Sequence, residues 1–413
     1  MINKTSLLSI WLKKLEKSNK KVINLIELKS IAKKLDILHL DAFVFVVSGT
    51  NGKGTTCTML ETLFLNAGYR VGLYTSPHIV SYLERVRING CCLTEEEHVS
   101  SFKLVEYERK NSVLSYFEFS TLSALSLFKK YLLDVVILEV GIGGRLDATN
   151  IVDSNISIIT NIGIDHTNML GFTRSNIARE KAGIFRRNKI SVIGEENIPN
   201  SMNKVAKKIG VLLKKINLDW FWKKHSDHWH FIHSNITLYD LPLTQIPLSN
   251  AALALSAIYY SGLKINESII RNTIAHVKLP GRFQVISSAP YIVLDVAHNV
   301  HAALHLSKKI DELFSKKKIY AVVGMCRDKN IRETINCLKD QVHYWYTAPL
   351  KHSRTANINQ LNNCFPKNNT FFFNSIHDAY SASYKIAKKE DVILVFGSFF
   401  AISEVILSNN IAI

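Results

Sequence analysis

The chain is poor in the residues that mark unusual architectures. Only 8 prolines and 18 glycines occur in 413 residues, which excludes a collagen-like or linker-dominated protein. The six cysteines, Cys57, Cys91, Cys92, Cys326, Cys337 and Cys364, form no CxxC pair and no His/Cys cluster with zinc spacing. Free thiols in a reducing cytoplasm are the simplest reading. The longest apolar runs, such as 42–47 and 392–396, stop far short of the roughly 18 residues that suggest a membrane helix. The N-terminal stretch MINKTSLLSIWLKKLEK is basic and amphipathic, with no long apolar core and no small-residue cleavage site, so it does not read as a secretory signal. Acidic residues are also scarce: 34 Asp and Glu stand against 51 Lys and Arg, a net charge of +17. That balance suits nucleic acid, an anionic membrane or acidic substrates. The lysines, however, are spread in pairs such as Lys13–Lys14, Lys33–Lys34 and Lys388–Lys389, and the longest basic run is only Lys316–Lys318. No strand carries an interleaved basic and aromatic RNA-binding pattern, so neither nucleic acid nor membrane is expected as a partner. The heavy use of Lys, Asn and Ile has the look of codon bias in an AT-rich genome.

What is present is an ordinary globular composition, 47% hydrophobic and 21% charged, long enough for two or three domains. The clearest unit is 43–74. FVFVV reads as a strand buried on both faces. SGTNGKGTT follows, then TCTMLETLFLNAG with apolar positions at helical spacing and a stop at Gly68, then the strand RVGLYTS. This is a βαβ unit and implies a parallel sheet. A helix at 120–133 and strands at 134–140, 156–162 and 189–194 continue the pattern. Alternation in HWHFIHSNITLYDLPL predicts antiparallel strands, and 250–262 a small-residue-rich helix. After LPGR at 279–282 a second series of strands begins with YIVLDVA, KIYAVVGM, VHYWYTA, FFF and VILVFGS. The expected architecture is two tandem α/β domains: an ATPase domain over 1–280, a linker at 281–290 and a smaller Rossmann-like domain over 291–413. Two such domains imply a ligand cleft.

The chemistry begins at Ser48–Thr56. A glycine-rich loop between a buried strand and a helix start turns backbone N–H groups inward, Lys53 supplies a point charge for phosphates, and Thr55 or Thr56 offers a hydroxyl to Mg²⁺. The loop is not a strict GxxxxGK[ST], since Gly54 stands between Lys and Thr. Glu139 ends an apolar strand where this sheet class binds ligands and can serve Mg²⁺; an ion pair with Arg145 or a lysine is the alternative. His166, in Asp165-His166-Thr167, is either a metal ligand or a core histidine, and its place after a strand favours the first. Lys181 taken alone reads as a surface helix lysine. Asp295-Val-Ala-His298-Asn299 again follows a strand, with turn chemistry as the alternative, and Arg282 either reaches a phosphate or is a solvated linker arginine.

Together, SGTNGKGTT, YTSPH (74–78), ERVRING (84–90), YFEFSTLSAL (116–125), LEVGIGGRLDATN, DHT (165–167), REKAGIF (179–185), NAALAL (250–255), LPGRFQ (279–284), DVAHN (295–299) and VFGSF (395–399) resemble the bifunctional dihydrofolate synthase/folylpolyglutamate synthase family of Mur-type amide ligases. The resemblance spans nearly the whole chain in order. It implies ATP and two Mg²⁺ as cofactors, with dihydropteroate, folates and L-glutamate as substrates. ATP phosphates would lie on Thr50, Asn51, Gly52, Lys53, Gly54 and Thr55, with Asn250, Arg282 and Asp295 completing that site. Ser76 and Glu139 would hold one Mg²⁺ and His166 a second. Lys181 would be the lysine that the family carbamylates. The pteroate would lie along Ser115, Tyr116, Phe117 and Glu118 and along Leu146, Asp147 and Ala148, and His298 and Ser398 would meet the incoming glutamate. Lys53, Lys181 and His166 are the catalytic candidates, in a cytoplasmic monomer. Asn24, aligned where bacterial members tend to carry Asp, Val300 in place of a frequent Pro and Phe400 in place of a frequent His depart from the pattern. Two alternatives stay open: a Mur-type ligase for another carboxylate, and a P-loop NTPase acting on nucleic acid.

Overall fold

The computed structural model describes residues 6–17, 24–234, 236–409 and 411. Of the stretch MINKTSLLSIWLKKLEK, residues 1–5 lie outside the described residues, as do 22–23 of the segment around Asn24. The chain divides into two compact units, Met1–Lys278 and Leu279–Ile413.

The first unit is built on strands β1 (Phe43–Ser48), β2 (Val71–Tyr74), β3 (Val86–Ile88), β4 (Cys91–Cys92), β5 (Val135–Glu139), β6 (Ile156–Ile159), β7 (Ile190–Ile193) and β8 (Leu212–Lys215). Among the described residues they form one sheet in the order β4-β3-β2-β5-β1-β6-β7-β8. The run from β2 to β8 is parallel, and β3 and β4 close one edge antiparallel. The central strands are β-branched and buried along nearly their whole length, as expected when helices cover both faces. The helix Lys53–Asn66 follows β1 and packs against the helix Leu248–Ser261, whose small residues Ala251, Ala252, Ala254 and Ala257 are all fully buried. The helix read from sequence at 120–133 runs over Tyr116–Lys130, because Ser115 and Glu118 close a capping box at its start. The predicted antiparallel segment is a separate sheet of β9 (Trp220–Lys224), β10 (His228–His233) and β11 (Ile236–Pro242), in the order β11-β10-β9.

The second unit holds β12 (Gln284–Ser288), β13 (Tyr291–Leu294), β14 (Ile319–Val323), β15 (Tyr344–Thr347), β16 (Thr370–Phe372) and β17 (Val392–Phe396), in the order β12-β13-β17-β14-β15-β16. All neighbours are parallel except β12 and β13. Here the structure corrects the sequence reading. The stretch 281–290 is not a plain linker, since β12 pairs with β13 as a hairpin. The turn-like LPGR at 279–282 marked the boundary, while QVISS just after it forms the strand. Each unit has its own apolar core. No helix among the described residues is long and apolar enough to cross a membrane.

Candidate active site

Strands β2, β5, β1 and β6 are sheet neighbours, and the chain carries its polar residues at their C-terminal ends. Ser76 stands two residues after β2, Glu139 ends β5, the loop 49–52 leaves β1, and Thr160–His166 leave β6. An open parallel sheet gathers ligand-binding groups on that edge.

The loop after β1 is held from two sides. The Thr50 and Asn51 amides donate to the Asn161 backbone oxygen (3.0 Å) and to Asn161 Oδ1 (3.0 Å). The Asn51 carbonyl accepts from Thr160 Oγ1 (2.6 Å) and Asn161 Nδ2 (2.9 Å). Asn250 Nδ2 reaches the Gly52 carbonyl (3.3 Å) and Thr56 Oγ1 (3.2 Å). Gly52 adopts φ +80°, and a Cβ there would lie 2.3 Å from Asn250 Nδ2, so the position requires glycine. The N–H groups of Lys53, Gly54 and Thr55 open the helix, where the first amides have no intrahelical acceptor and the dipole favours an anion. Lys53 Nζ folds back on the loop and donates to the carbonyls of Gly49 (3.1 Å) and Thr50 (3.3 Å).

Glu139 is 5% exposed. Its Oε2 accepts from the Ser76 amide at 2.9 Å, and a Cβ on Gly54 would stand 3.6 Å from both carboxylate oxygens. Arg145 pairs instead with Glu180 (3.0 Å), so the Arg145 alternative for Glu139 is excluded. A carboxylate and a serine hydroxyl beside a phosphate-type loop are hard oxygen donors, and this set fits Mg²⁺. His166 is half-buried in the left-handed backbone region (φ 49°), its amide bonded to Asp165 Oδ1 at 2.8 Å. That turn carries the imidazole at the end of β6 rather than in a core.

Lys181 ends the helix Arg174–Lys181 and is 2% exposed. The surface reading of this residue is therefore overturned. The helix turns this position inward, beside Ile177 and Ala178. Desolvation and the neighbouring Lys53 hold the amine well below its ordinary value, against the opposing pull of Asp165 and Asp147. A lowered value makes the amine easier to deprotonate than a surface lysine.

The other assigned residues divide by what their side chains do. Tyr116 and Phe117 present rings: Phe117 stacks on Tyr74 at 5.9 Å, and Tyr116 lies 5.2 Å from the Arg85 guanidinium. Leu146 is 40% exposed, and Ala148 is buried. Ser115 and Glu118 bond each other's backbone amides (3.2 and 2.7 Å). Asp147, its carboxyl pushed up by burial, accepts from Thr149 N, Thr149 Oγ1 and Ile142 N. These three side chains are spent on local hydrogen bonds. In the second unit, Asp295 and His298 follow β13 and Ser398 follows the adjacent β17, tied by a Gly397 amide to Ala297 carbonyl bond of 3.0 Å. Asp295 accepts from the amides of Phe283 and Ala297, both at 2.8 Å; burial pushes its carboxyl up while Arg282 pulls it down. Arg282 packs over the Phe399 ring at 5.2 Å. His298 Nδ1 lies 2.8 Å from the Val296 carbonyl, which places a proton on that nitrogen, and Ser398 Oγ caps the following helix at Ala401.

The sequence reading missed Thr160 and Asn161, which pin the loop; their only signal was a polar pair closing the apolar run ISII. It also gave no role to Arg85, which is 8% exposed, donates to His78 Nδ1 (2.9 Å) and faces Tyr116.

Residues 47–287 match the Mur ligase middle domain and residues 281–399 the Mur ligase glutamate ligase domain. A dihydrofolate synthase/folylpolyglutamate synthase of Buchnera aphidicola subsp. Acyrthosiphon pisum is 59% identical over 405 residues, 98% of each chain. Escherichia coli FolC in complex with DHPP and ADP superposes with a TM-score of 0.95 at 44% identity, over 99% of each chain. The bifunctional enzyme of Yersinia pestis complexed with AMPPNP and Mn ion superposes with a TM-score of 0.94 at 44% identity, over 99% of this chain and 100% of that one. Matched by both Mur ligase domain models and by these relatives over nearly its whole length, the chain belongs to the dihydrofolate synthase/folylpolyglutamate synthase family of Mur ligases.

Proposed function

We infer how this chain carries out its reaction. It is an ATP-dependent ligase that joins L-glutamate to dihydropteroate and to folates. A carboxylate is a poor acyl donor, so the γ-phosphoryl group of ATP passes to the pterin substrate's carboxylate and gives an acyl phosphate and ADP. The α-amine of glutamate then attacks the acyl carbon. The tetrahedral intermediate collapses, the carbon–oxygen bond to phosphate breaks, and an amide and inorganic phosphate leave, with the amine's proton passing to solvent or base.

The loop Thr50–Thr55 with Asn250 cradles the phosphates, and Lys53 leaves its loop carbonyls to meet the γ-phosphoryl charge. Tyr116, Phe117 and Leu146 supply the apolar wall for the pterin substrate, on a frame held by Ser115, Glu118, Asp147 and Ala148. Ser76 and Glu139 would hold one Mg²⁺ and His166 a second, and bound Mg²⁺ supplies neutralisation of phosphate charge. Lys181, carbamylated, replaces a repelled ammonium by an anion beside those donors. Arg282, Asp295, His298 and Ser398 enter the proposal on the family resemblance: the first two for ATP, the others for glutamate. We assign the chain to the cytoplasm and to a monomeric state.

The observation that supports this reading most strongly is the burial of Lys181 beside Lys53. The test is phosphate release by purified protein with Mg-ATP. Release that needs both dihydropteroate and L-glutamate is expected. Release driven by a muramyl precursor or by DNA would sink the reading in favour of the other two.

A further inference from the structure

The hairpin β9–β10 carries a second cluster, which the ligase reaction does not use. His228 and His230 lie two residues apart on β10 and so share a face, opposite Trp229 and Phe231, which are fully buried. His225 sits in the turn before them, its amide bonded to the His228 carbonyl at 2.9 Å. The three rings stand 4.6–5.1 Å apart by centroid, and one nitrogen from each lies within 4.8 Å of the others.

A fourth donor comes from β11. The pairing of β10 with β11 is interrupted between Trp229 and Phe231, so Tyr239 and Asp240 bulge out opposite His230. Asp240 takes φ +51° there, and the bulge re-aims its side chain. Its Oδ1 lies 3.4 Å from His228 Nε2 and 3.2 Å from His230 Nε2. Arg271 fixes the bulge through the carbonyls of Asp240 (2.9 Å) and Tyr239 (2.7 Å). Asp227 Oδ1 lies 2.8 Å from His228 Nδ1. It holds the proton on that nitrogen and directs Nε2 toward Asp240, the carboxylate–histidine arrangement that orients metal ligands. His225 Nε2 is buried with no hydrogen-bond partner, an atom that packing leaves unexplained.

We propose that His225, His228, His230 and Asp240 bind one divalent transition-metal ion of the zinc type, which clips the β9–β10 hairpin to β11. Three imidazoles and one carboxylate match a tetrahedral borderline cation and not Mg²⁺, which prefers oxygen. Zinc–nitrogen bonds of about 2.0–2.1 Å need the ligand atoms about 3.4 Å apart. Half-exposed side chains on a hairpin reach that by shifts of roughly 1 Å.

The test uses full-length protein stripped with a chelator and held in a large excess of Mg²⁺, titrated with Co²⁺ and then Zn²⁺. One equivalent of Co²⁺ with tetrahedral ligand-field bands, displaced by one equivalent of Zn²⁺, is expected. His228→Gln and His230→Gln should each weaken zinc binding by at least about 10–100-fold, abolish the zinc-dependent rise in Tm, and leave ligation unchanged. Less than one equivalent in the wild type overturns the proposal. So does zinc binding that both variants retain, since that ion would sit elsewhere.

Discussion

Replacing Lys181 with methionine should stabilise the protein while disabling it. The side chain is 2% exposed, and burial is the first cause that holds its amine below its ordinary value. Taking a polar group out of water costs about 1–3 kcal/mol. Methionine is unbranched, only one atom shorter, and lacks the amine, so Lys181→Met should gain about 1–3 kcal/mol in CO₂-free buffer. That is about 2–4 °C in Tm for each kcal/mol in a unit of this size. The pH dependence has a definite sign. The folded amine has a value below its ordinary 10.5, so between those two values the unfolded chain binds more protons, and wild-type stability rises with pH. The Met variant lacks this slope. Its Tm advantage should therefore shrink as pH climbs toward 10.5. Bicarbonate with Mg²⁺ should raise the Tm of the wild type alone, because only it can form the carbamate. Ligation by the variant should fall about 100- to 1,000-fold, the scale of losing one preorganised electrostatic group. Melting curves across pH, with and without bicarbonate, read all of this. A Met variant that melts below the wild type at neutral pH, or keeps full turnover, would refute the reasoning.

Lys53→Ala should lower ligation about 100- to 1,000-fold, because fixed amides cannot supply a mobile positive charge to the γ-phosphoryl group; single-turnover kinetics check it. Glu139→Gln keeps shape and removes charge, so the Mg²⁺ concentration for half-maximal rate should rise at least tenfold while Tm changes little, read from a metal titration of phosphate release. Gly52→Ala forces a side chain into the left-handed region and against Asn250. It should cost about 1–3 kcal/mol of stability and weaken ADP binding, measured by calorimetry.

The parallel sheet was legible because its strands are short apolar runs between glycine or polar stops, as in FVFVV before SGTNGKG and DVVILEV before GIGG. The phosphate loop and Glu139 were legible for the same reason, since each breaks an apolar strand at its C-terminal end. Lys181 was not legible from its own neighbours: REKAG is a polar helix end, and its burial depends on Gly144 and the turn after β5 packing on the helix backbone, with a Cβ on Gly144 only 2.9 Å from the Lys181 carbonyl. Strand β12 was hidden by the turn-like LPGR that stands just before it. Asp240 was illegible because a bulge, not strand alternation, aims its carboxylate. Roles for Ser115, Glu118 and Ser398 as helix caps are local hydrogen bonding, which a motif match does not reveal.

The proposed reaction turns on activation of the pterin carboxylate as an acyl phosphate. Dihydropteroate labelled in its carboxylate with a heavy oxygen isotope tests it in one measurement, by mass spectrometry of the phosphate released with Mg-ATP and L-glutamate. Each phosphate should carry one labelled oxygen, transferred from the carboxylate when the amine displaces phosphate. Unlabelled phosphate, with the amide product formed at the same rate, would contradict it.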